Sequence, residues 1–135
     1  MQCEKMAKEE LVTCREELIE QVVGSAIAVH KVLGPGLLES AYELALAFEL
    51  TDRDIMALRQ VEVLLCYKGK TLGSGFRADI VIEGSLLVEI KSVAALETIH
   101  ISQVITYLKL LKIKRGLLIN FNTRLLKNGI KRISI

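Results

Sequence analysis

A chain of 135 residues is long enough to bury a hydrophobic core, so we expect a single domain over residues 1–135. With 51% hydrophobic but only 4% aromatic residues, the composition indicates an aliphatic α/β core and excludes a carbohydrate-binding or intercalating surface. The formal net charge is only +2, and no apolar run reaches about 18 residues, so we predict no membrane span.

Positive charge is concentrated at the end of the chain, where residues 109–135 contain eight basic residues and no acidic one. This pattern is compatible with a surface that meets phosphates. A solvated surface balanced by the acidic N-terminal helix explains it equally well. Aromatic residues do not alternate with these cations, so sequence-specific reading of a single strand is not supported. The eight residues are Lys109, Lys112, Lys114, Arg115, Arg124, Lys127, Lys131 and Arg132.

Nothing in the sequence indicates secretion or a cysteine metal site. The start of the chain lacks the basic and apolar segments of a secretory signal. Cys3, Cys14 and Cys66 are odd in number and have no metal-ligand spacing. We therefore predict free thiols and a cytoplasmic location.

The hydrophobic pattern predicts two helices, three strands, a helix and two strands. Residues 13–16 match a capping box, helical spacing continues to residue 33, and Gly34-Pro35-Gly36 ends this helix. This order fits a mixed sheet flanked by helices. The later elements are a helix at 37–50, strands at 55–67, 71–82 and 86–91, a helix at 97–111, and strands at 116–121 and 130–135.

Three charged residues interrupt the apolar hairpin at 79–91, although buried charges are expensive unless they are paired or bound to a metal. Glu89 and Lys91 alternate onto one face of their strand. A two-residue loop at 84–85 would turn Asp79 to the opposite face. A three-residue loop at 83–85, which we favour, pairs Asp79 with Glu89.

Two carboxylates with a lysine beside them suit a hard divalent cation such as Mg²⁺ or Mn²⁺. The cation would lower the pKa of a bound water, and the lysine would orient that water or neutralise phosphate charge. A structural ion pair at a strand end is the competing interpretation. A bare D-x(9)-E-x-K spacing often occurs by chance, so this motif alone favours the structural ion pair.

Other candidate residues lie on helices. Glu39 and Tyr42 are three residues apart and face one way, as do Gln103 and Tyr107, which are four apart. Ordinary explanations are a first-turn acid at Glu39, polar residues on a core helix, and a satisfied core histidine at His30. Their functional interpretations are contacts to metal or nucleic acid, and for His30 a metal ligand.

Together these motifs resemble the PD-(D/E)XK nuclease superfamily, and within it the small family called GxxExxY proteins. The resemblance spans nearly the whole chain, and the combination of motifs is more specific than any one of them. The matching segments are 29–39, 67–70, 76–79, 88–91, Gln103 with Tyr107, and 116–122.

The resemblance implies a restriction-endonuclease-like core, with a mixed central β-sheet flanked by α-helices. It implies that Asp79, Glu89 and Lys91 form the metal site, and that Glu39 joins them from the first core helix. His30 is similar to an upstream histidine ligand of some members. Tyr42, Gln103 and Tyr107 are the candidate substrate-binding residues.

We therefore expect a Mg²⁺- or Mn²⁺-dependent nuclease that hydrolyses phosphodiester bonds, with DNA as the expected substrate. The alternative is a non-catalytic nucleic-acid-binding or partner-binding module on the same fold. A third and weaker interpretation is a subunit whose activity needs a partner. A homodimer is plausible for so small a nuclease, although the sequence does not show it.

Overall fold

The structure is a computed structural model that describes residues 11–135. Its elements follow the order that the hydrophobic pattern predicts. The helices are α1 (Glu16–Leu33), α2 (Glu39–Asp52) and α3 (Thr98–Leu111). The strands are β1 (Ala57–Tyr67), β2 (Lys70–Ile82), β3 (Leu86–Lys91), β4 (Arg115–Asn120) and β5 (Ile130–Ser134), with a short 3₁₀ helix at Leu126–Gly129.

The five strands form one sheet in the order β1-β2-β3-β4-β5. Neighbouring strands are antiparallel except β3 and β4, which are parallel and are connected through α3. A parallel pair needs such a crossover, because a tight turn can only return the chain antiparallel. The mixed sheet flanked by helices, expected from the sequence, is confirmed.

Helices cover both faces of the sheet, which explains the continuous apolar sequences of β3 and β4. One hydrophobic cluster joins the sheet to α1 and α2, and Tyr42, Leu46 and Phe121 are fully buried in it. The other cluster joins the opposite face to α3 through Leu87, Val104 and Leu108. The charged residues of β3 therefore lie between two apolar layers.

The capping box predicted at 13–16 is wrong. Helix α1 has Arg15 at its N-cap, and no side chain there accepts a bond from the helix amides. Val12 instead forms a parallel bridge with Ile113, and its carbonyl accepts a 2.7 Å bond from the amide of Lys114. Because of this pairing, the backbone at Val12 runs beside the start of β4, and Thr13 does not adopt the position of a helix cap.

Two further expectations concern cysteines and membranes. Cys14 is a free thiol, but Cys66 is disulfide-bonded, so the prediction of free thiols is wrong for Cys66. Cys3 lies outside the residues that the structure describes. Within residues 11–135, no helix combines the length and apolar character that crossing a membrane requires.

Candidate active site

The turn between β2 and β3 fixes the register of the charged residues. Ile82 pairs with Leu86, which leaves a three-residue loop, and the amide of Ser85 donates a 2.9 Å bond to the carbonyl of Ile82. Glu83 and Gly84 take positive φ angles of 50° and 63°. Because two such residues fit the right-handed twist of a hairpin, this turn holds the register favoured from the sequence.

In this register, Asp79 and Glu89 lie opposite each other and exchange hydrogen bonds. The amide of Asp79 donates a 2.7 Å bond to Glu89 Oε2, and the amide of Ile90 donates a 2.8 Å bond to Asp79 Oδ2. The regular pairing of β2 with β3 ends one residue earlier, at Ile80 and Val88. The two carboxylates therefore replace main-chain carbonyls at the point where the strands separate.

Each carboxylate uses one oxygen in this exchange. In the part of the chain that the structure describes, the second oxygens, Asp79 Oδ1 and Glu89 Oε1, have no hydrogen-bond partner. Neither group has a cation within salt-bridge distance there. Two hard oxygen atoms thus remain available to a ligand.

Burial and mutual repulsion make these groups hard to ionise. Burial, with further contributions from the charges of Glu43 and Glu39, raises the pKa of Asp79 to about 6. Burial and the charge of Asp79 raise the pKa of Glu89 to about 8. The Lys91 ammonium opposes both shifts, since a nearby positive charge favours the ionised carboxylate.

Lys91 ends β3 on the same side of the strand as Glu89, because side chains two residues apart share a face. Its neighbour in the parallel pair is Asn120, which is buried. The Asn120 side chain accepts a 3.1 Å bond from the amide of Val93 and donates a 3.0 Å bond to the carbonyl of Val93. This two-way contact holds the segment that follows Lys91.

Glu39, at the start of α2, contacts the same segment. The amide of Ser92 donates a 3.3 Å bond to Glu39 Oε2, and the hydroxyl of Ser92 donates a 2.6 Å bond to the carbonyl of Leu37. The start of α2 is therefore tied to the residue after Lys91. The charge of Glu39 also raises the pKa of Asp79, which places this side chain in the electrostatic field of the pair.

Glu43 is an acidic residue near this site for which the sequence pattern predicts no role. Its side chain is 5% exposed and accepts bonds from Arg59 Nε at 3.0 Å and Gln60 Nε2 at 2.8 Å. Its charge raises the pKa of both Asp79 and Glu89. The available signal was its position four residues after Glu39, on the same face of the helix.

Tyr42, predicted to bind substrate, instead holds the turn before α2. Its side chain is fully buried, and its ring stacks on Phe121 with centroids 4.5 Å apart. Its hydroxyl donates a 2.6 Å bond to the carbonyl of Gly34 and accepts a 3.0 Å bond from the amide of Leu37. These contacts give Tyr42 a structural role, and its contact with substrate stays a prediction.

Gln103 and Tyr107 lie together on α3, as their spacing predicts, and Gln103 Nε2 lies 3.4 Å from the Tyr107 hydroxyl. Burial and the charges of Glu89 and Asp79 raise the pKa of Tyr107. The phenol is therefore within electrostatic reach of the two carboxylates. Both side chains line a groove, described below, on the α3 side of the sheet.

His30 is buried in α1, and its Nε2 lies 2.8 Å from the carbonyl of Thr123. This bond satisfies one ring nitrogen of a buried side chain, which is what a core histidine requires, and it leaves the role of Nδ1 as a metal ligand a prediction. Among residues 11–135, no three His, Cys, Asp or Glu side chains form a group able to hold a metal ion. The predicted set of Glu39, Asp79 and Glu89 is thus not assembled in this structure.

The donor chemistry of Asp79 and Glu89 nevertheless fits a hard divalent cation. Such ions bind carboxylate oxygens, and each residue keeps one oxygen without a hydrogen bond. Two buried carboxylates with raised pKa values repel each other when both are ionised. A cation between them would remove that repulsion.

Comparison with known families agrees with this arrangement of fold and charged residues. A family model described as the PD-(D/E)XK nuclease superfamily matches residues 16–133, from the start of α1 to the end of β5. Comparison with curated proteins and with solved structures gives no significant match. The mixed sheet with three helices is consistent with the restriction-endonuclease-like fold of that superfamily, and the chain belongs to the PD-(D/E)XK nuclease superfamily.

Proposed function

We propose that the chain is a metal-dependent nuclease that hydrolyses phosphodiester bonds of DNA. The observation that carries this proposal is that the amide of Asp79 donates to Glu89 and the amide of Ile90 donates to Asp79, which leaves one oxygen of each carboxylate available beside Lys91. The superfamily match over residues 16–133 supports the reaction class. DNA as the substrate and Mg²⁺ or Mn²⁺ as the ion are our extension of that match.

In this mechanism Asp79 and Glu89 would hold the cation, and Glu39 would assist directly or through a water. When bound, the cation supplies Lewis-acid chemistry and lowers the pKa of a water. Lys91 positions the attacking water and stabilises the negative charge that develops on the phosphate. Gln103 and Tyr107 orient the strand from α3.

We also propose that the chain is a GxxExxY protein, because each residue of that pattern has a contact or conformation that ties α2 to the site. Gly36 has a φ of 101°, a backbone conformation that residues with a side chain rarely adopt. The Tyr42 hydroxyl holds the turn on both sides of Gly36 through its bonds to Gly34 and Leu37. Glu39 accepts a bond from Ser92, directly after Lys91. A homodimer and a cytoplasmic location stay predictions from the sequence.

Purified protein incubated with DNA and Mg²⁺ or Mn²⁺ tests the proposed nuclease. We expect cleavage that a chelator abolishes, and a loss of about 10²-fold or more in rate for Asp79→Asn, Glu89→Gln and Lys91→Ala. Glu83→Gln, an exposed change in the turn of the same hairpin, is the matched control and should cleave normally.

Two results would contradict the proposal. Cleavage that survives Asp79→Asn and Lys91→Ala would show that another part of the preparation or chain performs the reaction. Salt-dependent DNA binding without cleavage under any metal condition would favour the alternative, a non-catalytic binding module on this fold.

A further inference from the structure

An open groove lies between β2 and α3, next to the proposed catalytic residues. It has a volume of about 410 Å³. Glu89 lies on the α3 side of the sheet, because Leu87, two residues earlier on β3, packs with Val104 and Leu108 of α3. The groove is lined by Phe76, Ile99, His100, Ser102, Gln103, Thr106 and Tyr107.

Among the residues that the structure describes, this lining contains no lysine, arginine, aspartate or glutamate. Phosphates bind where cations or clustered amide donors face them, so this lining is poorly suited to the backbone of a nucleic acid. It suits an uncharged planar group with polar edges. Apolar walls with a few convergent polar groups are also what small-ligand sites generally provide.

Phe76 supplies an aromatic surface for such a group. Its side chain is 42% exposed, and its ring is tilted by 57° from that of Tyr107 with centroids 6.3 Å apart. Because the two rings do not stack on each other, Phe76 is left available for stacking. Ile99, which is 68% exposed, adds apolar surface to the same groove.

Polar groups of α3 give the groove hydrogen-bonding capacity. His100 Nδ1 accepts a 2.9 Å bond from the amide of Glu97, so a neutral ring carries its proton on Nε2. Gln103 has both a donor and an acceptor in its amide, and Ser102 and Thr106 have hydroxyls. The edges of all four bases carry donors and acceptors that these groups can meet.

We propose that this groove is a subsite for one unpaired nucleobase, which stacks on Phe76 while a phosphate of the same strand lies at Asp79 and Glu89. A base inside a duplex is stacked and paired and cannot enter a groove of this kind without being extruded. The substrate class is therefore single-stranded DNA or the unpaired part of a duplex. The inference rests on the proposed nuclease function and deepens it.

Stacking of this kind is tolerant of base identity, because every base has an aromatic face. It does not require alternating aromatic residues along the sequence. Phe76 on β2 and Tyr107 on α3 are 31 positions apart in the sequence and meet only in the fold.

Binding measured in the Asp79→Asn background tests the subsite without cleavage. Single-stranded DNA should bind at least about 10-fold more tightly than a blunt duplex of the same length. Phe76→Ala should weaken single-strand binding about 10-fold and leave duplex binding unchanged, whereas Phe76→Tyr should retain it. Phe48→Ala is the matched control, because Phe48 is 75% exposed on α2 and should have no effect.

An abasic scan adds a measurement that needs no change at Phe76. Replacing one nucleotide at a time by an abasic site should weaken binding at one position of the strand, and Phe76→Ala should remove that sensitivity. If no position is sensitive, or if Phe76→Ala weakens single strands and duplex equally, the subsite is wrong. Cleavage with no role for Phe76 would refute only the subsite, whereas position-specific stacking without cleavage would refute only the nuclease.

Discussion

Asp79 and Glu89 should make the stability of the metal-free chain depend on pH. Their pKa values are raised to about 6 and about 8 from ordinary values of 3.8 and 4.5. The folded state therefore binds more protons than the unfolded state between those limits. It follows that the free energy of unfolding falls as pH rises from about 4 to about 8.

Glu89→Gln should remove most of this penalty. Near pH 8 we expect the variant to be more stable than the wild type by about 3 kcal/mol, because no second charge is buried beside Asp79. Near pH 4 the two proteins should have similar stability, since Glu89 is then protonated. Urea unfolding of the metal-free proteins at both pH values measures the difference.

Glu62→Gln is the matched control, because Glu62 is an exposed carboxylate on β1. Its effect should be small at both pH values. Equal destabilisation by Glu89→Gln at both pH values would contradict the prediction. It would show that hydrogen bonding to Asp79, and not repulsion, dominates the role of Glu89.

The sequence predicts the site residues that interact with nearby positions in the chain. It does not predict the roles of residues whose partners are distant in the chain. Asp79, Glu89 and Lys91 stand out because they interrupt one apolar hairpin, and their register follows from the turn between them. The partners of Glu43 lie on β1, and those of Tyr42 include Phe121 at the end of β4. No spacing along the chain encodes such contacts.

Among the elements, the β2–β3 turn most directly controls the site, and Gly84 tests its importance. A side chain at φ 63° is strained, whereas nothing in the described structure lies within 4 Å of an added Cβ. Gly84→Ala should therefore destabilise the protein by about 1 kcal/mol through backbone strain alone. Chemical denaturation measures this difference.

The matched control is Gly75→Ala, on the strand β2 that leads into this turn, where an added Cβ also meets no described atom within 4 Å and φ is not positive. It should change stability by much less. If both substitutions destabilise the protein equally, the positive φ of Gly84 is not the cause of its sensitivity to substitution. The catalytic register would then depend on packing of the strands and not on the loop.

The spacing of apolar residues predicts which helices and strands form, because each element carries its own apolar stripe or apolar run. It does not predict local breaks that depend on neighbours. Gln60 has a positive φ of 54° and interrupts the pairing of β1 with β2, and its side chain turns to Glu43. Thr13 fails as a cap because Val12 pairs with Ile113.

The basic residues near the C-terminus can either meet phosphates or be neutralised by acidic residues within the fold. The structure answers this for two of these residues, which are neutralised within the fold. Arg115 and Arg132 form ion pairs with Glu16, so acid in the N-terminal helix balances these two. No ion pair involves Arg124 or Lys127 within residues 11–135, and both line a cavity of about 350 Å³ with Lys31.

We call Lys31, Arg124 and Lys127 the basic patch, and contacts within the fold connect it to the site. The cavity that these residues line also includes Gly34, whose carbonyl accepts the bond from Tyr42. The Tyr42 hydroxyl in turn accepts from Leu37, whose carbonyl accepts from Ser92, directly after Lys91. We predict that a strand with its phosphate at Lys91 extends towards the basic patch.

Replacing the three residues of the basic patch by glutamine should weaken DNA binding by the Asp79→Asn protein at low salt. If each residue contacts one phosphate, the slope of log K against log salt should decrease in magnitude by about 2 for single-stranded DNA. The matched control replaces Lys109, Lys112 and Lys114 by glutamine, which removes the same amount of charge. These lysines lie near the end of α3 and the start of β4, at the opposite end of β4 from Asn120. Net charge alone would change the salt slopes of both triple variants equally. A smaller slope for the basic-patch variant than for the control variant would therefore support a path of the strand over the basic patch. Equal slopes would refute that path.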